Sequence, residues 1–202
     1  MSLRARDLRV ACGLDWGSAS PGVCLWAAAL PDGHVHVFDE LKFQRLTVAD
    51  VAGLIKDKHA EWRLRPFPPI YCDPALKAQT GQIGEDYLGT FARHGVALTQ
   101  VSNHRTSGWQ RVHEALAADP ATGTPWLTIH PRCKYGIRTI PLMVQAARNP
   151  EDIDTETDDH WIDSLRYLLQ GGIRPGTKAH IQADKPGTWG WFRKAYLSER
   201  VA

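Results

Sequence analysis

The chain has 202 residues, 43% of them apolar and 23% charged, with a formal net charge of +2. This composition excludes a disordered chain, a collagen and a small disulfide scaffold, and the near-neutral balance neither requires nor excludes a nucleic-acid partner. No run reaches the roughly 18 consecutive apolar residues of a membrane span, and the N-terminal stretch MSLRARDLRVACGLDWG lacks the long apolar segment of a secretory signal.

Residues 1–9 are polar and basic and are expected to form a flexible lead. Residues 9–14 (RVACGL) read as a strand ending at Asp15, 23–30 (VCLWAAAL) as a second, and 34–41 (HVHVFDEL) as a third. The Gly/Ser/Pro turn at 17–22 and the Pro31-Asp32-Gly33 turn are short, so the three strands are expected to form an antiparallel meander. Residues 47–62 read as a helix opened by a capping box of Thr47 and Asp50, with Val48, Val51, Ala52, Ile55 and His59 at helical spacing. Pro66, Pro68 and Pro69 close it. Residues 70–72 form a short apolar strand ending at Asp73. A helix is expected within 82–94, a strand at 96–101, a helix at 107–118 opened by Ser107, a strand at 126–129, and helices at 137–147 and 158–169. A meander followed by alternating helices and strands implies an α/β fold with a central mixed sheet, antiparallel and then parallel, flanked by helices. The division expected is a lead at 1–9, one domain at 10–170, and a Gly/Pro extension at 171–202 carrying Trp189 and Trp191.

The cysteines Cys12, Cys24, Cys72 and Cys133 form no C-x-x-C pair. They are expected to be buried, reduced thiols of a cytosolic protein. Trp16, Trp26, Trp62 and Trp161 lie in apolar patterns and are expected in the core.

Three carboxylates stand out by placement. Asp15 and Asp73 each end a strand, so both can emerge at one edge of a sheet. On the last helix Asp159 and Asp163 are four apart and His160 and Asp163 three apart, which puts all three on one face. The other side of that helix carries Trp161, Ile162, Leu165, Leu168 and Leu169. Carboxylates gathered this way stay ionised only with a compensating cation. Hard oxygen donors suit Mg²⁺ or Mn²⁺ better than zinc. Two such ions about 4 Å apart can activate a water and stabilise the leaving oxygen of a phosphodiester. Against this, a lone Asp at a strand end is usually a turn former, and Asp158 fits a helix cap.

Gly13-Leu14-Asp15-Trp16-Gly17 with Pro21-Gly22-Val23-Cys24 resembles the opening of the nuclease domain of tailed-phage terminase large subunits. Tyr71-Cys72-Asp73-Pro74-Ala75 is similar to its second acidic motif. The stretch from Asn149 to Thr155, running into Asp159-His160-Trp161-Ile162-Asp163-Ser164-Leu165-Arg166-Tyr167, resembles its third. The resemblance spans about residues 10–170. It implies an RNase H-like fold, and a metal-dependent endonuclease that cuts concatemeric double-stranded viral DNA in the host bacterial cytoplasm. Asp15, Asp73 and Asp163 then match the catalytic carboxylates. Asp15 is expected to bridge two Mg²⁺ or Mn²⁺ ions, with Asp73 on one and Asp163, joined by His160 or Asp159, on the other. Full-length relatives carry an N-terminal packaging ATPase and work with a portal and a small terminase. This chain has no G-x-x-x-x-G-K-[ST] loop, so no ATP site is expected in it. A junction-resolving nuclease of the same fold, and a DNA-docking module whose nuclease is latent outside the motor, stay open beside that reading.

Lys77 follows Asp73 closely and could face a scissile phosphate. Arg105 and Arg111 flank a predicted helix start, and Arg132, Lys134 and Arg138 form a second basic group. These six are candidate DNA-backbone contacts, which hold a duplex without reading its sequence.

Overall fold

The computed structural model describes residues 8–17, 19–77, 86–147, 149–154 and 157–176. Arg9–Asp15 (β1), Gly22–Ala29 (β2) and Val35–Phe43 (β3) form the expected meander, with Asp15 opposite Val23 and Gly22 opposite Phe43. Ile70–Cys72 (β4) pairs parallel with β1, Leu98–Gln100 (β5) parallel with β4, and Leu127–Ile129 (β6) parallel with β3. The sheet order is β5-β4-β1-β2-β3-β6.

Helices cover both faces. Val48–Glu61 (α1) begins at the predicted capping box: Thr47 Oγ1 accepts from Asp50 N, and the Asp50 carboxylate accepts from Thr47 N. It buries the residues that its spacing named, Val48, Val51, Ala52, Ile55 and His59. With Tyr87–Arg93 (α2) it covers one face, whose core holds Cys12, Leu14, Cys24, Trp26, Ile55 and Phe91. Arg105–Leu116 (α3), Lys134–Thr139 (α4) and His160–Gly171 (α5) cover the other, with Val23, Leu25, Ala27, Trp109, Trp161, Leu165 and Leu168. Strand β2 alternates between the two cores, which explains its unbroken apolar run. Each fully buried leucine or valine here stabilises by about 1.5–3 kcal/mol. Among the described residues no helix is long and apolar enough to cross a membrane.

Several boundaries differ from expectation. The helix predicted at 137–147 is instead α4, a 3₁₀ turn at Ile140–Leu142, and a hairpin of Gln145–Ala146 (β7) with Asn149–Ile153 (β8). Pro141 lacks an N–H and cannot continue a helix interior, so the turn tightens and ends there. The α3 helix starts at Arg105, two residues before Ser107, whose hydroxyl donates back to the His104 carbonyl. Of the helix expected within 82–94, residues 82–85 lie outside the described residues, as do 1–7 of the lead and 177–202 of the extension. The four cysteines are free and buried. Trp26 and Trp161 are fully buried, and Trp16 and Trp62 are partly buried against the core.

Candidate functional site

The parallel pairing of β1 with β4 sets Leu14 beside Cys72, so Asp15 and Asp73 leave the sheet at the same end of neighbouring strands. Ligands of open α/β sheets gather at such strand ends. Helix α5 crosses β1 at close range. A Cβ on Gly13 would lie 2.0 Å from the Ser164 carbonyl oxygen, and Ser164 Oγ donates to the Gly13 carbonyl at 2.8 Å. Glycine is therefore what lets the helix rest on the strand, and this contact brings the first turn of α5 beside Asp15.

Asp15, Asp73, Asp159, His160 and Asp163 line one cavity of about 320 Å³, together with Trp16, Asn103, Arg105, Arg166 and Tyr167. Three of the acids have protein partners there. His160 Nδ1 is 3.0 Å from Asp15 Oδ2. Tyr167 Oη donates to Asp73 Oδ2 at 2.6 Å, and Ala75 N donates to Asp73 Oδ1 at 2.7 Å. Arg166 Nε donates to Asp163 Oδ1 at 2.9 Å. Asp159 precedes α5 with helical backbone angles and makes no side-chain cap bond, leaving its carboxylate to the cavity. Asp158, expected as a cap, instead accepts from the Tyr135 hydroxyl.

Burial and the neighbouring charges of Asp163 and Asp73 raise the Asp15 pKa, against the opposing hydrogen bond from His160. Burial, then Asp163, pushes Asp159 up to about 6. The hydrogen bond to Asp15 raises His160. Burial is the larger cause of both rises and the neighbouring carboxylates add to it, so a bound cation would favour the ionised forms. The donors thus fit a hard divalent ion in chemistry and in sharing one cavity. Among the described residues, however, no three His, Cys, Asp or Glu side chains stand close enough to hold an ion as they are. A carboxylate oxygen that accepts one hydrogen bond still has a second lone pair for a ligand.

Arg105 reaches the cavity, with its Nε 2.9 Å from both Asp152 carboxylate oxygens and its Nη1 3.9 Å from Asp163 Oδ2. Lys77 is exposed on the Pro74–Lys77 turn after Asp73. Lys134 and Arg138 are exposed on α4, with Arg138 over the Tyr135 ring. Of the six predicted basic residues only Arg105 lines the cavity; Lys77, Arg111, Arg132, Lys134 and Arg138 do not. Arg111 Nη1 binds the Leu169 and Gln170 carbonyls, and Arg132 lies over Trp62 near Asp39 and Glu61. Sequence reasoning did not single out Asp152, Arg166 or Tyr167. The last two sit three and four residues after Asp163, the helical spacing that would have flagged them.

No family model and no curated protein matches the sequence. Solved structures do match. The large terminase of a thermophilic bacteriophage, in complex with ADP, aligns over 84% of this chain and 40% of its own, with TM-score 0.64 and 14% identity. The large terminase nuclease domain of bacteriophage SPP1 with bound Mn aligns over 82% of this chain and 87% of its own, at TM-score 0.58 and 15% identity. The large terminase nuclease of thermophilic phage G20c with bound cobalt aligns over 83% and 84%, at 0.57 and 14%. The chain has the RNase H-like fold of large-terminase nuclease domains. It spans about 40% of the length of the ADP-bound large terminase and most of the two separate nuclease domains, so its likeness to terminases lies in the nuclease fold.

Proposed function

We propose that the chain is a divalent-metal-dependent endonuclease that cuts double-stranded DNA during the packaging of a phage genome. The observation that carries this reading is the convergence of Asp15, Asp73, Asp159, His160 and Asp163 on one cavity at the strand ends of a terminase-nuclease fold. Asp15, Asp73 and Asp163, with Asp159 or His160, would hold Mg²⁺ or Mn²⁺. Bound there, two ions would supply an activated water and stabilise the leaving oxygen of a phosphodiester. His160 orients the Asp15 carboxylate through Nδ1. Arg105, anchored by Asp152, offers its guanidinium to a phosphate beside Asp163. The reading needs no protein nucleophile. Cys72, next to Asp73, is buried, and burial pushes its thiol up to about 12, far from a thiolate at neutral pH. The packaging ATPase, portal and small terminase are the proposed partners, and the host bacterial cytoplasm is the proposed location.

The test is plasmid cleavage with Mn²⁺, with Mg²⁺ and with EDTA, beside Asp15→Asn. Metal-dependent nicking and linearisation that vanish in the variant are the expected result. Wild-type cleavage by Asp15→Asn would refute the assignment. A second reading, a nuclease latent outside its motor, is favoured by the spacing of these donors, since among the described residues no three of them stand close enough to hold an ion as they are. Mn²⁺ binding without cleavage of plasmid would select it.

A further inference from the structure

We infer that Arg166 and Tyr167 are positioning residues, forming a strut that sets Asp163 and Asp73 relative to one another for metal binding; the inference rests on the metal-nuclease reading. The two acids belong to different elements, Asp163 to α5 and Asp73 to the end of β4. A continuous chain of hydrogen bonds joins them. Arg166 donates through Nε to Asp163 Oδ1 at 2.9 Å and through Nη2 to Tyr167 Oη at 3.1 Å. Tyr167 then donates its single hydroxyl proton to Asp73 Oδ2 at 2.6 Å. The polarity is fixed, because a guanidinium only donates and the hydroxyl has one hydrogen to give. Each bond polarises the next. With Ala75 N on the other oxygen, both oxygens of Asp73 are pinned and its plane is set.

The strut displaces an ordinary apolar core. Arg166 is 1% exposed and Tyr167 3%. Helix α3 makes room for the arginine stem at Gly108, where a Cβ would fall 2.6 Å from Arg166 Cδ. The guanidinium stacks over Tyr167 and Trp109, and its Nη1 is a buried donor with no hydrogen-bond partner among the described residues, on a residue that lines the same cavity. Apolar side chains would fill this space with no charge to bury. What they could not do is hold two carboxylates at one separation.

The experiment compares Mn²⁺ binding, by electron paramagnetic resonance of free Mn²⁺, in wild type, Tyr167→Phe and Arg166→Lys, with cleavage measured across Mn²⁺ concentrations. Loss of an outer hydrogen-bond partner is expected to weaken Mn²⁺ binding about 10- to 100-fold. The half-activating Mn²⁺ concentration should rise by the same factor, and raising Mn²⁺ should recover the lost cleavage rate. Arg166→Lys keeps a cation beside Asp163 but cannot bridge to Tyr167, so it carries the same expectation if Tyr167→Phe does not fold. Wild-type Mn²⁺ affinity in a folded variant overturns the strut and leaves the nuclease reading standing. A rate loss that saturating Mn²⁺ fails to restore also overturns it, as damage of another kind. Absence of Mn²⁺ binding in the wild type overturns both.

Discussion

Gly13→Ala probes the contact on which the whole site depends. The new methyl carbon would sit 2.0 Å from the Ser164 carbonyl oxygen, 2.9 Å from Leu168 Cβ and 3.0 Å from the Ser164 carbonyl carbon. A carbon and a carbonyl oxygen rest at about 3.3 Å or more, so strand and helix must part by about 1 Å. Backbone atoms on both sides leave no flexible side chain to yield. Overpacking of this kind costs about 1–3 kcal/mol. The Ser164–Gly13 hydrogen bond, stretched by the same movement, contributes about 1 kcal/mol more. The expected total is about 2–4 kcal/mol, or a Tm lowered by roughly 5–15 °C in a chain of this size. The functional loss should be larger than the thermal one. Asp15 is on the strand and His160 and Asp163 are on the helix, and a misplacement of about 1 Å at a reacting centre can cost about 100-fold in rate. Differential scanning fluorimetry and plasmid cleavage below the new Tm, beside Gly53→Ala as a control, measure both effects. A Cβ at Gly53 meets nothing within 4 Å, so that change should be neutral or gain up to about 1 kcal/mol from helix propensity. A Gly13→Ala protein that melts with the wild type and cleaves at its rate would refute the close-approach argument.

Glu40 accepts from Tyr135 N, Gly136 N and Trp161 Nε1 at 2.8, 3.1 and 2.8 Å, tying α4 and α5 to β3; Glu40→Leu should destabilise by about 3 kcal/mol, read from the urea midpoint. His59 is buried, its Nδ1 has no hydrogen-bond partner among the described residues, and burial lowers its pKa to about 4. The unfolded chain therefore takes up a proton near pH 6.5 that the folded chain refuses. Stability is full above that pH and falls by about 1.4 kcal/mol per unit as the pH drops toward about 4. His59→Met should flatten that decline in denaturant titrations between about pH 7 and 4.5, and parallel wild-type and variant curves would count against it. Arg105→Ala should weaken DNA binding and reduce its salt slope by about one, as loss of one phosphate contact requires. An unchanged slope would leave Arg105 as a partner of Asp152 and Asp163 and not of DNA.

Much of the protein was legible in one dimension because short-range physics governs those parts. The turns at 17–22 and 31–33 are too short for anything but an antiparallel meander. The Thr47–Asp50 box and the spacing of Val48 to His59 specified α1 and its buried side. Asp15 and Asp73 could be placed at one edge because parallel neighbours end together, and Asp163 joined them through its position on a strongly patterned helix. Proline decided against the sequence pattern at 137–147, where apolar spacing suggested a helix that Pro141 cannot continue. Tertiary structure alone decided which charges meet. Arg105, Arg111 and Arg132 look alike in sequence, yet one faces the carboxylates, one binds the carbonyls at the end of α5, and one lies over Trp62. The packing of α3 against α5 separates the first two, and the turn between β6 and α4 carries the third to Trp62. The bonds linking Asp15 to His160 and Asp73 to Tyr167 join residues 145 and 94 positions apart. No local pattern encodes such pairings. They exist because Gly13 lets α5 lie against β1, and that is a property of the packed molecule.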